Sequence, residues 1–396
     1  MDPELIKDCV HCGFCLPTCP TYLLWGEEMD SPRGRIHLMQ QHVEGTPITD
    51  EMAGHFDACL GCMACVTACP SGVQYDALIE QTRAVVEREH VRPPEERAIR
   101  AMVMALFPYR RRLRAMRLPM RLAPRMAGFL ARVHPSLGAM ADLAPPLSKP
   151  LRLPPLVEAR GDRRAVVGML TGCVQGEFFP QVNAATARVL ALEGCDVVIP
   201  PRQGCCGALA LHSGYDASKF AERTIRTFQK AGVDTVVVNA AGCGSCMKEY
   251  AQGYQVRDLA EFLVELGPRA TRHPLPVSVA YHDACHLAHA QGVRSQPREL
   301  LGAIPGLSIR EVAESSICCG SAGTYNLFQP GPARELGDRK AERVRATGAD
   351  LLVSANPGCT MQIAAAMRRA GEEPMPVAHT AQVLDASLRG LGKVHT

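Results

Sequence analysis

The sequence predicts an α/β protein: a mainly helical, cysteine-rich N-terminal module followed by two tandem small parallel α/β domains. Three observations predict it. Two copies of one cysteine phrase lie within the first 70 residues. From about position 165, short β-branched runs alternate with helical stretches, the pattern of a parallel sheet flanked by helices. That alternation then returns, with its cysteines, after a little over 100 residues, which indicates a duplicated domain rather than a solenoid.

The first phrase runs Cys9, Cys12, Cys15, Cys19, Pro20 and the second Cys59, Cys62, Cys65, Cys69, Pro70. Both follow the C-x2-C-x2-C-x3-C-P spacing of bacterial-type ferredoxins. Two-residue gaps wrap a loop around one cluster so that three thiolates reach three of its iron corners. The fourth cysteine opens the next element, and proline bends the chain away. In two-cluster proteins that fourth cysteine ligates the other cluster. The spacing therefore assigns Cys9, Cys12, Cys15 and Cys69 to one [4Fe–4S] cluster and Cys59, Cys62, Cys65 and Cys19 to another. A pair of C-x2-C elements alone would also suit zinc. Two complete copies, each closed by proline, argue against it.

With 396 residues the chain is long enough for two or three domains, and 47% hydrophobic with 21% charged residues describes a globular protein. Its 18 cysteines cluster by metal-ligand spacing, unlike a short secreted disulfide scaffold, so thiolates in a reducing compartment are expected. Positions 1–8 carry three acidic residues and do not resemble a signal peptide, and the longest apolar run, 101–107, is far short of a membrane span. The expectation is a cytoplasmic protein, with peripheral contact on the inner face of the cell membrane left open. A net charge of +3 gives no argument for nucleic acid.

Between the phrases, positions 21–58 have room for helices. Asp30-Ser31-Pro32 is a helix start, with a capping side chain and proline in the first turn. Arg33 and Arg35 follow; they either neutralise anionic clusters or lie on a solvated face. After Pro70, Leu78, Ile79, Thr82, Val85 and Val86 recur at helical spacing and predict a face packed on the module. Residues 91–160 are rich in proline and arginine, which predicts short amphipathic helices broken by proline, serving as a linker or as a surface for anionic membrane or a partner. Strands are predicted at 166–170, 197–200, 235–238, 277–281 and 351–354, and helices at 182–192, 217–230 and 332–346. The tails beginning at Val256 and Val377 also correspond.

Each copy carries cysteines at its strand ends. Copy one has Cys173, Cys205, Cys206, Cys243 and Cys246; copy two has Cys285, Cys318, Cys319 and Cys359, with Gln362 in place of Cys246. Loops at the same edge of a parallel sheet converge in space. The glycine after each adjacent pair, Gly207 or Gly320, lets the loop turn both sulfurs toward one centre. Five thiols suit a third iron–sulfur centre in copy one, whereas four in copy two suit zinc, a cluster or neither. The two sites should therefore be unequal. His282 and His286 flank Cys285 and either serve the site or hydrogen-bond the backbone. Cys195 matches no motif and is expected in the core as a small apolar residue.

Together these residues carry a resemblance. Cys9-Val-His-Cys-Gly-Phe-Cys15, Cys19-Pro-Thr-Tyr22, Ser31-Pro-Arg-Gly-Arg-Ile36, Cys59-Leu-Gly-Cys-Met-Ala-Cys-Val-Thr-Ala-Cys-Pro-Ser-Gly-Val73, Tyr281-His-Asp-Ala-Cys-His-Leu287 and Asn356-Pro-Gly-Cys359 resemble the glycolate oxidase (glycolate dehydrogenase) iron–sulfur subunits. These belong to a family with two 4Fe–4S ferredoxin motifs and two CCG cysteine-rich domains. The resemblance implies a ferredoxin-like module at 1–90, a helical linker at 91–160, and CCG domains at 161–270 and 271–396. It also implies an electron-transfer subunit of an oxidoreductase complex. A separate flavin (FAD) subunit would oxidise glycolate, and electrons would pass through this chain to a quinone or another membrane acceptor. No Gly-x-Gly-x-x-Gly opens a βα unit, so neither flavin-binding nor catalytic residues are expected here. Lactate-utilisation, glycerol-3-phosphate dehydrogenase and heterodisulfide-reductase-type complexes share the pattern and remain the alternatives.

Overall fold

Proline and a capping side chain start several helices of the N-terminal half. Ser31 accepts a hydrogen bond from the Gly34 N–H at 3.0 Å with Pro32 in the first turn of helix Pro32–Val43, as the Asp30-Ser31-Pro32 pattern predicts. Thr49 caps helix Asp50–Ala58 in the same way. The computed structural model describes residues 2–371 and 375–395. In the N-terminal module, helix Tyr75–Glu89 buries the predicted face, Leu78, Ile79, Thr82, Val85 and Val86, with Leu78, Ile79 and Val86 in one cluster with Met39 and Phe56.

Four helices follow: Pro94–Leu106, Arg110–Ala115, Arg117–Val133 and Pro135–Asp142. Proline breaks fewer of them than expected, since Pro119 and Pro124 both lie inside helix Arg117–Val133. Pro119 falls in the first turn, where its missing N–H would have no partner, and Pro124 lies on an exposed face. Arg92 ties this segment to the module through Asp57 at 2.6 Å and Glu87 at 2.7 Å. Arg114 and Arg117 pair with the buried Glu177 of copy one at 3.1 and 3.4 Å. Arg110, expected among the surface arginines, is instead held against the Gly176 carbonyl at 3.0 Å. Burial lowers its pKa.

The first sheet contains β1 (Leu156–Val157), β2 (Ala165–Met169), β3 (Cys195–Val198), β4 (Thr235–Val238) and β5 (Gln255–Asp258) in the order β1-β3-β2-β4-β5. Only β1 is antiparallel to its neighbour. The second contains β6 (Val277–His282), β7 (Leu307–Glu311), β8 (Leu351–Ser354) and β9 (Val377–Ala378) in the order β7-β6-β8-β9, all parallel. Without β1 the two orders are the same, which is the duplication in three dimensions. Strand β7 gives no sequence signal because it lies at a sheet edge with Ser308, Arg310 and Glu311 exposed, so no buried run marks it. Cys195 begins β3 and is fully buried, as expected, and burial pushes its thiol up to about 11.

The copies do not keep separate cores. One cluster joins Val167, Leu190 and Val237 to Val279, Val353 and Leu384. Across this junction Arg188 makes a two-pronged ion pair with Asp385 at 2.8 and 2.6 Å. Among the described residues no helix is long and apolar enough to cross a membrane.

Candidate iron–sulfur sites

The two N-terminal phrases fold into matching loops. The third residue of each phrase has positive φ, His11 at 52° and Gly61 at 60°; so does the fifth, Gly13 at 87° and Met63 at 61°. Two left-handed steps in seven residues curl the loop so that three thiols point inward. Cys19 and Cys69 then adopt nearly the same extended conformation, φ −85°, ψ 116° and φ −82°, ψ 116°, at the end of a short helical turn.

These loops enclose two sulfur-lined pockets. One is lined by Cys9, Cys12, Cys15 and Cys69, with Cys65 at its edge. The other is lined by Cys19, Cys59, Cys62 and Cys65. Each fourth cysteine has crossed to the partner loop, in the arrangement the spacing implies. The thiols of the second pocket are buried, whereas those of the first are half-buried and Cys12 is exposed. Burial pushes Cys15 up to about 11 and Cys62 and Cys65 higher still. Such groups ionise readily only against a bound cation. Cys59 is different: burial raises its pKa, but Arg35 and Arg83 outweigh burial and hold it below the ordinary value. Arg35 is 1% exposed, pairs with Asp30 at 3.1 Å and lies 4.0 Å from the Cys19 sulfur. Arg33 bridges Glu28 at 2.6 Å and the His11 carbonyl at 2.9 Å beside the first pocket. Neither arginine is on a solvated helix face.

The cysteines of the two α/β copies meet in one cleft of about 220 Å³. Cys173, Cys205, Cys206 and Cys243 line it from copy one, and Cys285, Cys318, Cys319 and Cys359 from copy two. Corresponding pairs are close in both: Cys173 and Cys205 sulfurs are 3.6 Å apart, Cys285 and Cys318 sulfurs 4.0 Å. The glycine after each pair is left-handed, with φ of 96° at Gly207 and 85° at Gly320, and the Gly207 N–H donates to the Cys205 sulfur at 3.4 Å. The linker covers one wall of the cleft with Phe107, Met120, Met140 and Leu143.

Cys246 is not among these residues. Its thiol is fully buried and donates to the Cys206 carbonyl at 3.8 Å, one helical turn beyond Cys243. Gln362, its counterpart, likewise donates to a backbone carbonyl, that of Ala333 at 2.7 Å. Each copy therefore presents four thiols to the cleft. The extra donor belongs to copy two, where His282 lies within 4.8 Å of the Cys319 and Cys359 sulfurs. Both its ring nitrogens lack a hydrogen-bond partner, and burial pulls it down to about 3, so it is neutral. The corresponding residue of copy one is Leu170. Converging buried thiols beside an imidazole with no partner are the donor set of a metal or cluster site, and the residues present fit one. The sequence placed His282 beside the site without showing that it faces Cys319.

The sulfur-lined pockets are neighbours. Cys285 of copy two packs against the cluster that holds Cys62 of the second phrase, and its thiol, after burial, disfavours ionisation of Cys62. Leu60, Cys62 and Ala64 pack in one cluster with Cys318, Ile317 and Tyr325. Thr67 reaches His289 at 2.8 Å. Where the three parts meet, the His212 and His286 rings lie 4.9 Å apart and tilted by 48°, and His212 bonds Glu80 of the N-terminal module at 3.1 Å. Burial, and then His212, pulls His286 down to about 3.

Paired ferredoxin-type loops feeding a cleft between two cysteine-lined α/β copies define an iron–sulfur protein of the dicluster, cysteine-rich class. The profile of the 4Fe-4S dicluster domain matches residues 5–73, and that of the Cysteine-rich domain (CCG) matches 167–248 and 279–364. The chain is 36% identical to the probable glycolate oxidase iron-sulfur subunit of Bacillus subtilis, over 94% of this chain and 91% of that one. It is 36% identical to the glycolate oxidase iron-sulfur subunit of Escherichia coli, over 92% and 91%. A component of the fumarate reductase (CoM/CoB) of Methanothermobacter marburgensis is 27% identical over 97% of this chain and 73% of that protein. The chain belongs to the family of glycolate oxidase iron–sulfur subunits.

Proposed function

We propose that this chain is the electron-transfer subunit of a flavin-dependent glycolate (2-hydroxy acid) dehydrogenase. A partner flavin subunit removes two electrons and two protons from glycolate to give glyoxylate. This chain receives the electrons and delivers them to a quinone or another membrane acceptor. Its expected ligand sets are Cys9, Cys12, Cys15 and Cys69, then Cys19, Cys59, Cys62 and Cys65, with domain limits at 1–90, 91–160, 161–270 and 271–396. A further centre would use the four cleft thiols of either copy. Bound clusters supply one-electron steps, which divide the two-electron chemistry of a flavin.

The observation that carries this reading is the continuity of sulfur from surface to cleft, with Cys62, Cys285 and Cys318 in one packed cluster and the Cys285 and Cys318 sulfurs 4.0 Å apart. The chain's own groups prepare the route. Arg35 and Arg83 offset negative charge at Cys59, and the packed Leu60, Ile317 and Tyr325 exclude water between the second phrase and copy two. Exposed Val10 and Phe14 flank the exposed Cys12 and suit a partner face at the outer end.

Anaerobic purification with the flavin partner tests the reading. Glycolate should bleach the iron–sulfur absorbance of the complex but not of the isolated chain. Cys19→Ser should remove the signal of the cluster held by Cys59, Cys62 and Cys65 and spare the other. Zinc without acid-labile sulfide would sink the assignment. Reduction by a different hydroxy acid would replace only the substrate.

A further inference from the structure

The helix Arg117–Val133 has an outer face that the proposed function leaves unused. None of its 17 residues is buried. Its inner side, Met116, Met120, Ala123, Ala127 and Leu130 at helical spacing, is half-buried. This side rests on the next helix, Pro135–Asp142, whose Gly138 lies so close to Ala131 that a methyl group there would stand 2.5 Å from the alanine's own. A second apolar stripe points to solvent: Leu118 is 72% exposed, Leu122 52%, Met126 45%, Phe129 62% and Val133 61%. Spacings of four, four, three and four residues place these five on one line, along a helix about 25 Å long. Arg121, Arg125 and Arg132 project beside this stripe and have no ion-pair partner among the described residues.

The charge around the stripe is one-sided. Between positions 97 and 141 there are ten arginines and no aspartate or glutamate, although the whole chain carries only +3. The remainder of the chain is therefore net acidic, and positive charge is concentrated at this helix and its neighbours. Ion pairs with Glu177 occupy Arg114 and Arg117, Arg100 pairs with Glu96 and Glu87, and Arg110 is half-buried, so Arg121, Arg125 and Arg132 beside the apolar line are among the arginines left without an ion pair.

We propose that this outer face docks the protein on a membrane rich in anionic headgroups. The helix lies parallel to the surface, with Leu118, Leu122, Met126, Phe129 and Val133 in the acyl boundary and Arg121, Arg125 and Arg132 at the phosphates. A helix apolar on one line, arginine-bordered beside it and free of acids is the form that binds at a bilayer interface without crossing it. Charge complementarity decides between lipid and protein occupants. A protein partner would have to bring its own acidic groups for unpaired guanidiniums spread along the helix, whereas an anionic leaflet provides phosphates at every position.

Sedimentation of the full-length protein, alone and with its partner subunit, with phosphatidylcholine vesicles containing one-third phosphatidylglycerol tests this. Both forms should pellet with these vesicles, and raising salt should release them. Arg121→Gln/Arg125→Gln/Arg132→Gln should weaken binding about a hundredfold, since each arginine near such a surface contributes roughly a fivefold effect. Leu122→Asp/Phe129→Asp should abolish pelleting. Because both sets of side chains are exposed, far-ultraviolet dichroism and iron content should match the wild type. Failure of the wild type to pellet, or pelleting of either variant like the wild type, overturns the proposal. So does protection of this helix from hydrogen exchange by the partner subunit in a complex that ignores vesicles.

Discussion

Arg35 shows how a single residue serves a site it does not ligate. It is fully buried, donates to the Thr21 hydroxyl at 3.1 Å and the Asp30 carbonyl at 2.5 Å, and stands beside Cys19 and Cys59. Removing one side of a buried pair leaves the other uncompensated and costs about 3–5 kcal/mol. Arg35→Leu should therefore lower the melting temperature and weaken the cluster site of Cys19 and Cys59, seen as lost absorbance, while the Cys9 site persists. Glu314 does related work in copy two. It pairs with Arg339 at 2.6 Å and Arg343 at 3.4 Å and orders the loop leading to Cys318. The Arg339 hydrogen bond holds its carboxyl down to about 2. With the folded value depressed, its stabilisation is present above the ordinary carboxylate range and lost as pH falls from about 4.5 to about 2. Because the pair is solvent-accessible, it is worth no more than about 1 kcal/mol. Glu314→Gln should cost that at pH 7, and urea unfolding should find variant and wild type converging only as pH approaches about 2.

At the scale of the element, the loop after each CCG cysteine pair depends on glycine to different degrees. Gly320 has φ of 85°, and a methyl group there would meet the Ala333 carbonyl oxygen at 2.5 Å, an atom fixed in helix Pro330–Arg345. Gly207 has φ of 96°, but a methyl group would meet Ala217 and Phe220 side-chain carbons at 3.3 Å. Both substitutions carry the left-handed penalty of roughly 1–2 kcal/mol, and only Gly320→Ala adds a collision with backbone. Gly320→Ala should displace Cys318 and Cys319 and reduce iron bound by copy two, whereas Gly207→Ala should lower stability with less loss of metal. Equal iron loss in the two variants would show that backbone strain alone governs these loops.

For the whole molecule, the shared core of the two copies brings all eight cleft thiols to one place. Since Cys246 turns away, the copies supply equal numbers of cysteines, and Cys205→Ser and Cys318→Ser should each remove about four irons if both sites fill. Their effects on transfer should differ. Copy two adjoins the second ferredoxin loop through Cys62 and Cys285, so Cys318→Ser should isolate copy one from the N-terminal module. Cys205→Ser should leave reduction of copy two intact, and freeze-quench paramagnetic resonance distinguishes the two outcomes. Unimpaired reduction of copy one in Cys318→Ser protein would break the proposed order.

The cysteine phrases, the duplicated βα pattern and the helix faces were legible from residue type and spacing, because ligand loops and periodic burial are local properties. Cys19 and Cys69 could be assigned across the phrases because proline and the x3 gap redirect the fourth thiol within a few residues. Cys246 could not be excluded from the cleft in this way: its orientation depends on helix Ala241–Tyr250 packing over the Cys206 carbonyl, which lies 40 residues away. The facing of His282 toward Cys319, the holding of Arg110 by the Gly176 carbonyl of copy one and the packing of Cys285 against the cluster with Cys62 are likewise meetings of distant segments. Spacing along the chain determined which residues are able to ligate. Burial of a common hydrophobic core determined which of them share a cleft, because the orientation of each loop there follows from the packing of the elements beneath it.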